Sequence, residues 1–115
     1  MKVITLNIKE DYPPADVAVA NLEIEIERCA KTDIKAIKVI HGYGSHGVGG
    51  EIKRQLIDKL KDLKRFGKIK DFIVGEQFGY LAKQNKYIAD NFPDLIVDPD
   101  LRNYNNGITL VFLNN

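Results

Sequence analysis

The sequence predicts a two-layer α/β fold, in which helices pack on a mixed sheet of four to five strands. Three observations support this prediction. The first part of the chain alternates between residue patterns typical of strands and of helices, a glycine-rich loop joins the second strand to the second helix, and an apolar segment close to the end forms a further strand. The predicted order is strand, helix, strand, helix, then further strands, with right-handed crossovers joining the first parallel strands.

The first half of the chain contains two predicted strands and one helix. Residues 1–8 alternate with the period of a strand, and apolar residues at three- and four-residue steps predict a helix between Pro14 and Thr32. Residues 22–27 also alternate as a strand would, but the segment is longer than an average strand and has no internal breaker, which favours the helix. Residues 35–40, rich in β-branched side chains, predict the second strand.

The second half begins with the most regular element of the sequence. Leucine and isoleucine recur in helical register from Glu51 to Phe66, and Gly67 supplies a stop. Residues 69–74 predict a third strand, and residues 107–113 predict a fourth that is entered through a turn-like Asn-Asn-Gly sequence.

The pattern between those two strands is weaker. Leu81, Ile88 and Phe92 predict a short helix stopped by Pro93, and residues 95–97 predict a short strand. The stretch 79–106 is expected to serve recognition or to cover an edge strand.

Composition indicates one soluble globular domain spanning residues 1–115. The chain is 44% hydrophobic and 29% charged, and its net charge of +1 gives no overall attraction to nucleic acid or to membranes. A single cysteine, Cys29, excludes an intrachain disulfide, and no apolar run approaches the length of a membrane span. We therefore expect a cytoplasmic protein that does not bind membranes.

Charge is distributed unevenly along the chain. Residues 10–33 hold seven acidic and two basic residues, whereas residues 51–70 hold eight basic and three acidic ones. The basic segment adjoins the glycine-rich loop, where it would favour an anionic ligand. The alternative is that two solvated helix faces of opposite sign attract each other across the fold.

The glycine-rich loop is the strongest candidate for a functional site. Five glycines and both histidines lie between positions 41 and 50, directly before the second predicted helix. Glycine allows the backbone to approach a ligand closely, and the N-terminus of a helix favours negative charge. The loop therefore predicts an anion site.

Two other interpretations of this loop are weaker. Residues 42–47 match the dinucleotide pattern G-x-G-x-x-G, but the chain is too short for both halves of such a fold, and no Walker sequence follows. His41 and His46 have no neighbouring carboxylate or thiolate in sequence, so two ligands fall short of the usual three or four. We expect no cofactor and no metal.

The sequence around this loop resembles a known family. The run Val39-Ile40-His41-Gly42-Tyr43-Gly44, followed by a small-residue loop and a helix, resembles the "IHGKG" signature of the Smr (small MutS-related) domain. The final strand at residues 107–113 resembles the family's "GATVV" strand, and the likeness covers nearly the whole chain.

The resemblance implies an α/β fold similar to the C-terminal domain of translation initiation factor three, and nucleic-acid binding or nicking. The family's first-strand "LDLHG" motif corresponds to Leu6-Asn7-Ile8-Lys9-Glu10, which places Asn7 at the acid and Lys9 at the histidine. Asparagine does not accept a proton, and lysine is a poor general base at neutral pH. The resemblance therefore favours binding of DNA or RNA without the full catalytic machinery.

The predicted nucleic-acid site combines the loop with the first turns of the second helix. Its backbone N–H groups would hold a phosphate, and Tyr43 would stack on an unpaired base. The predicted binding residues are His41, Gly42, Tyr43, Gly44, Ser45, His46, Gly47, Gly49, Lys53 and Arg54.

Two alternatives to simple binding stay open. In a metal-independent endonuclease, His41 would act as general acid or base and Lys9 would steady the developing phosphorane charge. In a protein-interaction domain, aromatic residues within 79–106 (Tyr80, Tyr87, Phe92 and Tyr104) would contact a protein partner, unless they belong to the core.

Overall fold

The computed structural model describes residues 1–42, 48–80 and 82–115. These residues form four strands, five helices and one 3₁₀ turn. In chain order they are β1 (Lys2–Asn7), α1 (Ala15–Cys29), β2 (Ile34–Ile40), α2 (Val48–Arg65), β3 (Ile69–Val74), the 3₁₀ turn Gly75–Gln77, α3 (Ala82–Asn91), α4 (Pro93–Ile96), α5 (Pro99–Arg102) and β4 (Ile108–Leu113).

The four strands form one mixed sheet in the order β1-β2-β4-β3. β1 and β2 are parallel neighbours, and β4 runs antiparallel to both β2 and β3. The strands β1, β2 and β3 therefore point the same way and end at one edge of the sheet, called here the carboxyl edge, where β4 begins. The predicted α/β class, the mixed sheet of four to five strands and the parallel first pair are confirmed, with four strands among the described residues.

The helices α1 and α2 cover the first face of the sheet. Their apolar residues at three- and four-residue steps meet those of the strands in one buried cluster, as the helical spacing predicts. This cluster contains Val19, Leu22, Ile26, Cys29, Ile34, Ile37, Val39, Leu56, Leu60, Leu63, Ile69, Val111 and Leu113. The alternating residues 22–27 lie within α1, so the helical interpretation is confirmed.

The described residues of segment 75–106 cover the second face of the sheet, and Gln84 of α3 also donates to the Phe72 carbonyl of the edge strand β3. Ile88, Phe92, Leu95 and Leu101 of this segment pack with Phe112 and other residues of the strands in a second buried cluster. The strand predicted at 95–97 is wrong, because α4 occupies Pro93–Ile96. Proline at the first helical position has its φ already set for a helix, and it lacks the N–H that a strand ladder needs.

A partly buried ion cluster fixes this cover to the sheet. The ammonium of Lys38, on β2, lies 3.0 Å from Asp98 and 2.7 Å from Asp100. Burial by itself lowers the pKa of Lys38, but hydrogen bonds to Asp100 and Asp98 outweigh it and raise the pKa above its usual value. Asp98 also accepts the backbone N–H groups of Asp100 and Leu101, so it caps α5 while it pairs with the lysine.

Candidate nucleic-acid interface

Two of the predicted site residues follow neighbouring strand ends. Lys9 follows β1 and His41 follows β2, and the Ile8 N–H donates to the Ile40 carbonyl at 3.0 Å, which extends the pairing to the carboxyl edge. Ligands of open α/β sheets bind outside the carboxyl ends of the strands. The backbone thus places both residues at the edge where a site is expected.

His41 is completely buried, with 0% of its surface exposed. Its Nδ1 lies 2.6 Å from the Gly42 carbonyl oxygen and its Nε2 lies 2.8 Å from Thr109 Oγ1. Because a carbonyl only accepts, we assign the ring proton to Nδ1, so that Nε2 accepts the Thr109 hydroxyl. Both ring nitrogens are therefore engaged within the protein.

The surroundings keep the His41 imidazole neutral. Burial lowers its pKa below 6.5 and is the largest effect. The hydrogen bond to Gly42 opposes it, the positive charge of Lys53 lowers the pKa further, and the negative charge of Glu76 opposes this weakly. Both nitrogens of this buried ring are engaged within the protein, and the ring joins the end of β2 to β4 at the carboxyl edge. The catalytic role of His41 stays a prediction.

The start of the loop is also fixed to the beginning of β4. The N–H groups of His41 and Gly42 both donate to the Gly107 carbonyl, at 2.9 and 3.1 Å. Gly42 has a φ of +73°, a conformation that side chains disfavour. The Asn105 side chain accepts the Gly107 N–H at 2.8 Å, which stabilises the turn that the Asn-Asn-Gly sequence predicts.

Five of the predicted binding residues, Tyr43, Gly44, Ser45, His46 and Gly47, lie outside the described residues. Gly49 lies in the first turn of α2, which begins at Val48. The helix thus starts within a few residues of Gly50, as an anion site at its N-terminus requires.

The two predicted cations of α2 have acidic partners. Lys53 Nζ lies 2.6 Å from Glu76 Oε1, and Arg54 pairs with Glu51 one turn earlier in the helix. Hydrogen bonds from Arg54 and then Gln55 lower the pKa of Glu51 to about 2. A phosphate that bound Lys53 or Arg54 would have to displace the carboxylate of Glu76 or Glu51.

Lys9 is only partly exposed. Its backbone N–H donates to the Asn7 side-chain oxygen at 3.1 Å, so Asn7 shapes the chain that leaves β1. No carboxylate among the described residues forms an ion pair with the Lys9 ammonium, in contrast to Lys53 and Arg54.

An exposed pair of tyrosines lies on the two segments that leave and enter the sheet at the carboxyl edge. Tyr80 follows the 3₁₀ turn after β3, and Tyr104 precedes the turn into β4. Their ring centroids are 5.9 Å apart, and the two residues are 70% and 50% exposed. The segments touch closely, because a Cβ on Gly75 would lie 2.0 Å from the Asn105 carbonyl oxygen.

The chain matches no family model, no curated protein and no solved structure in the three comparisons with known proteins. Its function must therefore be inferred from its own residues.

Sequence reasoning missed Thr109 and Glu76 as partners of site residues. The only available signal was topological, because both lie next to a strand end that the fold brings to this edge. The aromatic residues of segment 79–106 separate into two groups: Phe92 is buried in the core with the partly buried Tyr87 packed against it, whereas Tyr80 and Tyr104 are exposed. Among the described residues no helix has both the length and the apolar character that crossing a membrane requires.

Proposed function

We propose that this chain binds single-stranded nucleic acid at the carboxyl edge of its sheet. The exposed Tyr80–Tyr104 pair is the observation that carries the proposal. Proteins that bind single strands use such exposed rings as stacking platforms for unpaired bases.

Phosphate contacts would come from the other segments at this edge. The glycine-rich loop precedes the N-terminus of α2, and Lys9 supplies an ammonium that pairs with no described carboxylate. Lys53 would exchange Glu76 for a phosphate at small cost, because a partly exposed ion pair stabilises a protein by about 0 to 1 kcal/mol. This combination of aromatic rings and cations favours a single strand over a duplex.

The resemblance to the Smr domain agrees with this function but stays a prediction. The endonuclease alternative has less support, because the His41 ring is buried and Asn7 occupies the position of the family's acid. In our proposal His41 is a positioning residue, which fixes Gly42 and the start of the loop. A cytoplasmic location suits the proposal, since the buried thiol of Cys29 has no partner cysteine.

A salt series tests the proposal. Binding of labelled single-stranded DNA and RNA, measured by fluorescence anisotropy, should weaken linearly in log-log terms between about 50 and about 200 mM salt. A duplex of the same sequence should bind more weakly. Affinity independent of salt, or no binding of any strand at low salt, would exclude the proposal.

The same samples test for cleavage. We expect intact labelled strands after long incubation with the wild-type protein. Cleavage that is lost in His41→Ala would restore the endonuclease alternative, whereas cleavage that persists in that variant would indicate a contaminating nuclease.

The protein-interaction alternative is favoured by one observation, the exposure of Ile96 and Val97 within segment 79–106. Two adjacent exposed aliphatic residues form only a small apolar surface. A pull-down from cell extract, with and without nuclease treatment, separates the cases: a partner retained after treatment supports protein contact.

A further inference from the structure

A second site is suggested by an open cleft on the second face of the sheet, away from the carboxyl edge. The cleft measures about 820 Å³ and lies between β3 and α3. Lys70 and Asp71 stand near the start of β3, and Asp71 pairs in register with Phe112 near the end of β4. The cleft therefore opens at the opposite end of the sheet from the tyrosine pair, within the size range of small-molecule sites.

The rim of the cleft is basic. Lys64, Lys70 and Lys83 line it together with a single acid, Asp71. Lys64 pairs with Asp71 at 2.9 Å, and the Lys70 ammonium lies 4.2 Å from the centre of the Tyr87 ring. Lys83 is exposed and pairs with no carboxylate that the structure describes. Two of the three lysines thus have no carboxylate partner here, which favours an anionic ligand.

The floor of the cleft is aromatic and rigid. Tyr87 packs edge-on against Phe112, with ring centroids 5.5 Å apart, and against Phe92 at 5.7 Å. Since Phe92 and Phe112 are buried in the core, the Tyr87 ring is held in place. An apolar, planar surface beneath a basic rim suits a ligand with a ring rather than a simple inorganic anion.

Gln84 adds an unmet hydrogen-bonding requirement. Its amide nitrogen donates to Asp71 Oδ2 at 3.0 Å and to the Phe72 carbonyl at 3.2 Å, which fixes the orientation of the amide. Its oxygen is buried and has no partner among the described residues. A buried acceptor without a donor is unfavourable, so a ligand that supplies an N–H would gain from this contact.

We propose that this cleft binds a small organic anion whose planar ring carries an N–H donor, the chemistry of a nucleoside monophosphate. The phosphate lies among Lys64, Lys70 and Lys83 and draws the Lys70 ammonium away from the Tyr87 ring. The ligand ring then lies against Tyr87 and donates to the Gln84 oxygen. The proposal is independent of strand binding at the carboxyl edge, because the two sites share no residue.

Calorimetric titration with adenosine monophosphate tests this site, with adenosine and inorganic phosphate as separate probes. We expect the monophosphate to bind at least about tenfold more tightly than either fragment, since only the whole ligand meets both the rim and the floor. Heat below detection at about 1 mM monophosphate, or a fragment that binds equally well, would overturn the proposal.

Two lysines of α3 provide matched variants. Lys83 lines the cleft, whereas Lys86 lies one turn later and pairs with Asp90 outside it. Lys83→Ala should weaken monophosphate binding about fivefold or more, and Lys86→Ala should change it less than about twofold. Equal effects of the two substitutions would show unspecific charge attraction and exclude the site.

The contribution of the Gln84 oxygen is tested with Gln84→Met, which keeps the length of the side chain. It should weaken binding of the monophosphate while leaving that of inorganic phosphate unchanged, and an equal loss for both would refute the ring contact.

Discussion

The Nε2 atom of His41 lies 2.8 Å from the hydroxyl oxygen of Thr109, and both side chains are fully buried. The pair joins the end of β2 to its antiparallel neighbour β4. With the hydrogen bonds from His41 and Gly42 to Gly107, it fixes the position from which the glycine-rich loop departs. His41, which the sequence predicts as a catalytic residue, thus holds the backbone in place at the end of β2.

Removal of the Thr109 hydroxyl should destabilise the fold. Thr109→Val preserves shape but leaves the Nε2 of His41 buried without a partner, which costs about 1 to 3 kcal/mol. Urea denaturation should report this loss. Thr5→Val, at an exposed position of β1, is the matched control and should change the free energy of unfolding by less than about 0.5 kcal/mol. Equal effects of the two substitutions would contradict the role given to the pair.

The buried His41 should make stability depend on pH. Its pKa is lower in the folded protein than the usual 6.5, mainly because it is buried, so the unfolded chain binds the proton more tightly. Stability is therefore complete above about pH 6.5 and decreases as the pH falls towards the folded pKa, by at most about 1.4 kcal/mol per pH unit.

Urea denaturation at pH 7.5 and pH 5.5 measures this effect. The loss of stability between the two pH values should be smaller in His41→Gln than in the wild type, because the substitution removes the titrating group. An identical loss in both proteins would assign the effect to other groups.

The effects of substitutions in the ion cluster of Lys38, Asp98 and Asp100 should depend on one another. Lys38→Met leaves Asp98 and Asp100 without their cation and should destabilise the protein by about 1 to 3 kcal/mol, between the values for exposed and for fully buried ion pairs. Adding Asp98→Asn should restore part of this loss, since asparagine can still cap α5 while removing one negative charge. A double variant that is no more stable than Lys38→Met would contradict this coupling.

Gly75 should tolerate no side chain. A methyl group there would lie 2.0 Å from the Asn105 backbone oxygen, so the segments that carry Tyr80 and Tyr104 would have to separate. Gly67→Ala, where the added group meets nothing within 4 Å, should cost only the strain of a positive φ, about 1 to 2 kcal/mol. Thermal denaturation should therefore show a larger loss for Gly75→Ala, and a smaller loss would contradict the close contact.

The periodicity of the sequence predicted the helices and strands whose patterns depend on residues close together in the chain. In α2 the predicted stripe of Ile52, Leu56, Leu60 and Leu63 is buried as expected. Segment 75–106 was harder, because its short helices depend on contacts distant in sequence, such as Lys38 with Asp98, 60 residues apart. A strand pattern at residues 95–97 therefore gave way to the helix that Pro93 begins.

The sequence likewise predicted some features of the candidate site and not others. The sequence located Lys9, His41 and the N-terminus of α2 near one edge, because parallel strands end together. It did not show that His41 is buried, because its partner Thr109 lies 68 residues away. The exposure of Tyr80 and Tyr104, as opposed to Phe92, also depends on which residues of the segment face the sheet.

The most direct test of strand binding at the carboxyl edge is to remove the exposed rings. In fluorescence anisotropy at about 50 mM salt, Tyr80→Ala/Tyr104→Ala should bind a single-stranded oligonucleotide at least about tenfold more weakly than the wild type, since stacking contributes about 1 to 3 kcal/mol per base. Phe66→Ala removes an equally exposed ring after the far end of α2 and should bind as the wild type does. If the double variant and Phe66→Ala bind with the same affinity as the wild type, the tyrosine pair is no stacking platform and the proposed function is wrong.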